Sequence, residues 1–164
     1  MMSDIEILLV QFPLLKELEY KELVYQGKTH PSLAAGVVNA NLPYKPGVYL
    51  VYDYSENKLG KLLYVGKAGV NKEGEINAHQ IPKRLLAVCY PPEKYLKKIK
   101  SKHPSRNSAW PIMMEIDKIS SIKIFCFFSN IGADFKVLME YNPLELENQI
   151  RNNLTDKPEW AKRK

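Results

Sequence analysis

Lys94, Lys97, Lys98, Lys100, Lys102 and Arg106 form a dense run of cations, and side chains spaced in this way can follow a phosphate backbone. Lys83 lies slightly upstream and belongs with them. A solvated face is the commoner fate of such a run, so charge alone gives only a direction, toward a polyanionic partner. The wider distribution points the same way. Residues 1–46 hold four Lys against five Asp and Glu, net −1, while the rest of the chain holds 20 basic and 13 acidic residues, net +7. The thiols offer less. Cys89 and Cys126 stand in no Cys-x-x-Cys or Cys/His spacing that would hold zinc, and a thiol nucleophile would need a histidine brought close by the fold. Both are expected to be core thiols of a reducing compartment.

The elements that would position these groups follow from pattern. A chain of 164 residues with 45% hydrophobic and 26% charged residues suits one globular domain plus an extension. Pro43-Tyr44-Lys45-Pro46 reads as the seam, dividing an N-terminal helical extension over 1–42 from a main domain over 43–164. In the extension, Leu14, Leu15, Leu18, Leu23 and Val24 trace one face and Lys16, Glu17, Lys21 and Glu22 the other, which predicts a helix over 14–26 stopped by Gly27. The longest uncharged stretch, Pro31 to Tyr44, is shorter than the ~20 apolar residues of a membrane span. The apolar start from Ile7 to Val10 follows acidic rather than basic residues, the wrong sign for a secretory leader, so a cytoplasmic protein with no membrane partner is expected.

In the main domain, 48–54 and 61–67 are rich in Val, Leu and Tyr and flank a polar, Gly-containing turn, which predicts an antiparallel hairpin. A loop should follow over 68–80, then a short helix opened by Pro82 and a basic amphipathic helix from Glu93. Residues 119–128 are apolar on both alternating faces and read as a central strand. A last helix starts at Asn142 or Pro143 and runs to about Asn153. The expected class is α+β, a small three-stranded antiparallel sheet flanked by helices.

Gly47-Val48-Tyr49 opens the first strand and Tyr64-Val65-Gly66-Lys67 closes the second; Arg84 follows within Lys83-Arg84-Leu85, and Glu147 within Leu146-Glu147-Asn148-Gln149-Ile150. This order resembles the GIY-YIG nuclease superfamily, most of all its restriction-endonuclease branch, over roughly residues 44 to 160. One tripeptide alone is weak; two across a hairpin, with Arg and Glu in the expected elements, are more specific. The resemblance implies a metal-dependent endonuclease that hydrolyses DNA phosphodiesters, with Tyr49, Tyr64, Lys67, Arg84 and Glu147 as its catalytic set. Tyr49 would orient or activate the attacking water, aided by Tyr64 and Lys67, since a phenol of pKa near ~10 needs a nearby cation to favour its phenolate. Arg84 would hold phosphate oxygens with its planar fork. Glu147 would hold one Mg²⁺ or Mn²⁺, which retains most of its waters. Glu145 is the rival, but two helical positions differ by about 200°, so only one of the pair can face a site.

There are departures from the family pattern. Many members end in Lys-Pro-x-Trp-Asn, whereas this chain has Lys157-Pro158-Glu159-Trp160-Ala161, and some place a histidine where Val88 stands. Asn153 and His79 are the candidates to substitute. DNA is the expected partner, and a homodimer would suit cleavage of both strands at a symmetric site. Two other readings are a nucleic-acid-binding module of the same fold with little or no turnover, and an interaction protein docking through residues 14 to 26.

Overall fold

The computed structural model describes residues 1–26, 37, 39–70, 80–82, 85, 110–129, 142–155, 158 and 160. Among them run helix α1 (Asp4–Gln11), strands β1 (Glu19–Tyr25), β2 (Gly47–Asp53) and β3 (Leu62–Ala68), helix α2 (Trp110–Asp117), strand β4 (Ile122–Phe128) and helix α3 (Pro143–Asn152). The four strands form one antiparallel sheet in the order β1-β4-β2-β3. The class is α+β, with one strand more than the sequence pattern suggested.

The additional strand is β1. Residues 14–26 do not form the helix expected of them: Pro13–Leu15 makes a single 3-10 turn, and Glu19–Tyr25 extends to pair along β4 from Glu19 opposite Phe128 to Tyr25 opposite Ile122. The reason lies in β4, all of whose residues are buried. A central strand with β2 on one side would leave its other row of N–H and C=O groups dry and unpaired, so a second partner is required. Tyr20, Val24 and Tyr25 are good strand residues, and Leu23 and Tyr25 are buried while Val24 is exposed, an alternation with period two.

Alternation divides the sheet into two faces. Val48, Leu50, Tyr52, Val65, Phe125 and Phe127 point to one, where they meet Leu8, Phe12, Leu15 and Leu18 from the N-terminal segment and Leu146 and Ile150 from α3. Tyr49, Val51, Tyr64, Cys126 and Phe128 point to the other, beneath Ile81, Leu85, Met113, Met114, Trp110 and Trp160. The N-terminal segment thus supplies both an edge strand and part of a covering layer. Its helix begins cleanly, with the Ser3 hydroxyl accepting from the Glu6 N–H and Asp4 and Glu6 in the first turn, where negative charge suits the helix dipole.

The other strands and the last helix lie close to the expected spans, with β3 running through Ala68 and β4 starting at Ile122 rather than at residue 119. The hairpin between β2 and β3 turns through Ser55–Asn57, with Glu56 and Asn57 at positive φ and the Asp53 carboxylate accepting from both the backbone N–H and the hydroxyl of Ser55. Asn142 caps α3 by accepting from the Leu144 N–H at 3.0 Å, with Pro143 in the first turn. Pro82 and Leu85 are helical, as expected, and Ile81 is too, one residue before the expected start, while the helix expected from Glu93 and residues 71–79 of the expected loop lie outside the described residues. No helix among those residues is long and apolar enough to cross a membrane. Cys126 is a fully buried free thiol, and burial holds its pKa well above the usual range, so it is a core thiol; Cys89 lies outside the described residues.

One charge sits inside this packing. Lys123 on β4 is 7% exposed, donates to the Asp4 carboxylate at 2.8 Å, lies 3.4 Å from Glu22 and approaches the Tyr54 ring at 4.9 Å. It ties α1, β1 and β4 together. Burial pulls its pKa down, but the bond to Asp4 and the charges of Glu22, Asp4 and Tyr54 outweigh that, so the net shift is upward from 10.5. A lysine stabilised in its charged form contributes below its unfolded pKa and ceases to contribute as pH climbs through the raised folded value. Melting temperature is therefore expected to fall above about pH 10.5 more steeply in the native chain than in Lys123→Met, as followed by circular dichroism. At neutral pH, Lys123→Ala should cost about 1–3 kcal/mol through the donor lost to Asp4 and the packing lost over Tyr54 and Phe125.

Candidate functional site

The two tripeptides interlock. In the β2–β3 register Tyr49 stands opposite Gly66, and a side chain built on Gly66 would overlap the Tyr49 ring, with Cε2 at 2.7 Å and the hydroxyl closer still. Gly66 is glycine because the phenol of Tyr49 lies across it. Gly47 has a similar cause: a Cβ there would drive into the Phe127 carbonyl of β4 and stand 2.7 Å from Ile81 Cδ1. The first glycine of one tripeptide and the last of the other thus each admit a neighbour to the strand surface.

Tyr49 and Tyr64 come together on one face. Their ring centroids are 6.1 Å apart, and Trp110 lies 6.0 Å from Tyr49 and 6.2 Å from Tyr64. Trp160 continues the cluster at 6.0 Å from Trp110, and its indole Nε1 donates to the Asp117 carboxylate at 2.9 Å. Tyr49 is 1% exposed and Tyr64 6%. Packing on all sides fixes the direction of both phenols, which is the condition for a preorganised polar group. The sequence reading did not link Trp110 to this site, although a large aromatic just before an apolar run is a fair core signal. Trp110 is fully buried and its Nε1 has no hydrogen-bond partner.

Lys67 takes the other side. It pairs with Val48, so alternation sends its half-buried side chain to the face opposite Tyr49 and Tyr64. Helix α3 packs against that same face through Leu146 and Ile150 and carries Glu147, whose side chain is 16% exposed. Glu145 is exposed and accepts instead from the Gln149 amide at 3.2 Å, so of the two acids Glu147 is the one turned toward the protein. The described members of the expected set are thus divided: two tyrosines on one face, a lysine and a glutamate-bearing helix on the other, with edge strand β3 between them. Any meeting of the two groups has to occur around that edge. Arg84, Lys83, Lys94, Lys97, Lys98, Lys100, Lys102 and Arg106 lie outside the described residues, as do His79, Val88 and Ala161; Asn153 is exposed after α3.

Arg151 escaped the sequence reading altogether. Its guanidinium donates through NH2 to the carbonyl of Val65, the middle residue of the second tripeptide, at 2.8 Å, and its Nε stands 3.7 Å from Glu147 Oε1. An edge strand leaves part of its backbone without a strand partner, and here a helix side chain supplies the donor. An arginine one turn after a glutamate normally reads as a surface pair, which is why spacing alone gave no signal.

Among the described residues no group of three or more His, Cys, Asp or Glu side chains is arranged to hold a metal ion. Comparison with protein-family models, with curated proteins and with solved structures finds no match to this chain.

The interlock of Tyr49 with Gly66 makes a direct prediction. Gly66→Ala should destabilise the fold by about 1–3 kcal/mol, because the added methyl meets a ring packed on its other sides. Combining it with Tyr49→Ala should recover a large part of that loss, so a double-mutant cycle in urea is expected to give a coupling energy above about 1 kcal/mol. Additive single effects would mean that the ring does not rest on Gly66.

Proposed function

We propose that this protein is a metal-dependent endonuclease that hydrolyses phosphodiester bonds in DNA. The observation that supports this reading best is the fit of the two tripeptides to one another. Gly47 and Gly66 are each required by a close approach, and Tyr49 and Tyr64 share one packed cluster. That relation holds two phenols, Tyr49 on β2 and Tyr64 on the edge strand β3, packed together on one face of the sheet.

Phosphodiester hydrolysis needs a positioned water, relief of charge growing on the phosphoryl oxygens, and help for the departing oxygen. In this reading Tyr49 orients the water, Tyr64 and Lys67 support it, and Arg84 holds the phosphate. Glu147 is the carboxylate for a divalent cation. Its chemistry fits a hydrated Mg²⁺ or Mn²⁺: one partly buried acid from the protein, with the remaining positions left to water and substrate oxygens. The cation, when bound, would stabilise negative charge on the phosphoryl group. The basic run from Lys94 to Arg106, with Lys83, tracks the backbone, and cleavage of both strands would call for a homodimer. The setting is cytoplasmic, and the restriction type is the branch it most resembles.

A second reading has a specific observation behind it. Tyr49 is nearly inaccessible, and Lys67 and the Glu147 helix lie across the sheet from it. A nucleic-acid-binding module of this fold with weak or no turnover would have no need to bring them together.

Plasmid DNA incubated with the protein and Mg²⁺ separates the two. Cutting that falls at least about 100-fold in Glu147→Ala and in Tyr49→Phe is the expected outcome for the nuclease. Cutting that survives both substitutions would belong to a contaminant, and binding with no cutting would leave the binding module. In either case DNA affinity should drop steeply between low and physiological salt, with a log–log slope reduced by about one for each Lys removed from the basic run. A flat salt response would remove that run from the account.

A further inference from the structure

Arg151 stands between the edge of β3 and Glu147. Its NH2 is fixed to the Val65 carbonyl at 2.8 Å, an anchor independent of anything Glu147 does. Its Nε is buried without a hydrogen-bond partner, and the nearest oxygen of Glu147 is 3.7 Å away, beyond bonding distance but well within reach of its charge. A guanidinium held in this way cannot follow the carboxylate, and the carboxylate is not tied to it by a bond. If a divalent cation takes Glu147, the arginine stays where the strand edge holds it.

We infer that Arg151 is the built-in counter-charge of Glu147, anchored to the second tripeptide's strand so that it sets how tightly this carboxylate takes a divalent cation. The inference rests on reading Glu147 as the cation-holding acid. Without a cation the guanidinium helps to compensate a carboxylate whose side chain is only 16% exposed, which lowers the cost of keeping it ionised there. In the loaded site the same fixed charge opposes the incoming cation. Arg151 is thus a positioning and tuning residue, acting through Glu147 and through the edge of β3. Affinity is set low enough for the cation to exchange.

The direction of this effect distinguishes it from a structural role. A residue that merely supported α3 would weaken cation binding when replaced, because the carboxylate would lose its place. A counter-charge strengthens binding when neutralised. Arg151→Gln is the informative change, since it removes the charge and keeps an uncharged polar side chain with the same stem up to Cδ. Arg151→Lys keeps the charge.

The test is calorimetric titration of the full chain with MnCl₂ in the absence of DNA, with thermal melts run alongside. Arg151→Gln should bind Mn²⁺ at least about fivefold more tightly than the native chain, Arg151→Lys within about twofold of it, and Glu147→Gln should abolish binding in both backgrounds. If Glu147→Gln abolishes binding but Arg151→Gln binds equally or more weakly, the counter-charge is wrong and the carboxylate assignment survives. If neither the native chain nor Arg151→Gln binds Mn²⁺, or if Glu147→Gln binds as well as the native chain, the carboxylate assignment fails and takes this inference with it. Arg151→Met, which lacks both charge and donor, should bind Mn²⁺ like Arg151→Gln but melt at a lower temperature than Arg151→Lys, whose ammonium can still donate toward Val65; equal melting of Arg151→Met and Arg151→Lys would show that the Val65 anchor is unimportant.

Discussion

The pairing of β2 with β4 at the centre of the sheet governs the rest of the molecule. Every residue of β4 is buried, and β2 is buried except at its last position. A strand pair with two dry faces needs two covering layers and a hydrogen-bonding partner on each outer edge. The N-terminal segment and α3 cover one face, Trp110, Met113 and Met114 of α2 with Ile81, Leu85 and Trp160 cover the other, and β1 and β3 pair the two outer edges. Chemically useful side chains are then distributed between two layers by alternation alone. Tyr49 and Tyr64 fall under Trp110, whereas Lys67 and α3 fall across the sheet. The edge of β3 lies between the two layers, and Arg151 reaches it from α3.

The glycines of the two tripeptides are set by close packing. Gly66 is excluded from carrying a side chain by the ring of Tyr49, and Gly47 by the backbone of β4 and by Ile81. Both are packing constraints before they are anything else. Yet the same contacts hold the Tyr49 phenol in one direction, and a polar group already oriented before substrate arrives spends no reorganisation energy when charge develops. Tight burial and catalytic use therefore do not conflict in principle; they conflict only if no path leads from the phenol to solvent.

The readable parts of the sequence were those in which one physical requirement dominated. The strands at 48–54, 61–67 and 119–128 were legible because two-sided apolar runs of that length have few alternatives, and α3 because Asn142 and Pro143 mark its start. Residues 14–26 were misread because five apolar residues happened to fit a helical stripe, while the deciding pressure, the unpaired edge of β4, comes from a strand about a hundred residues later. Local propensity cannot register a distant unsatisfied backbone. Lys123 was unremarkable in sequence for the same reason, since its partners Asp4 and Glu22 belong to two other elements. The order of motifs nominates Tyr49, Tyr64 and Glu147 as candidates. The side of the sheet each one occupies required the register.

Charge balance at the β3 edge bears on how one carboxylate could serve a chain whose residues after 46 carry net +7. Glu147 and Arg151 together are neutral, so a divalent cation added to them would raise the local charge by its full two units. A phosphodiester, carrying one negative charge, would meet a site more positive than a two-carboxylate cage would give. Such a site would gain in attraction for the backbone what it loses in hold on the cation, and the cation would be retained mainly while substrate oxygens help to bind it. A long Arg151–Glu147 separation suits that arrangement better than a short bond would, since at 3.7 Å the guanidinium acts on the carboxylate through its charge while its own anchor is at Val65.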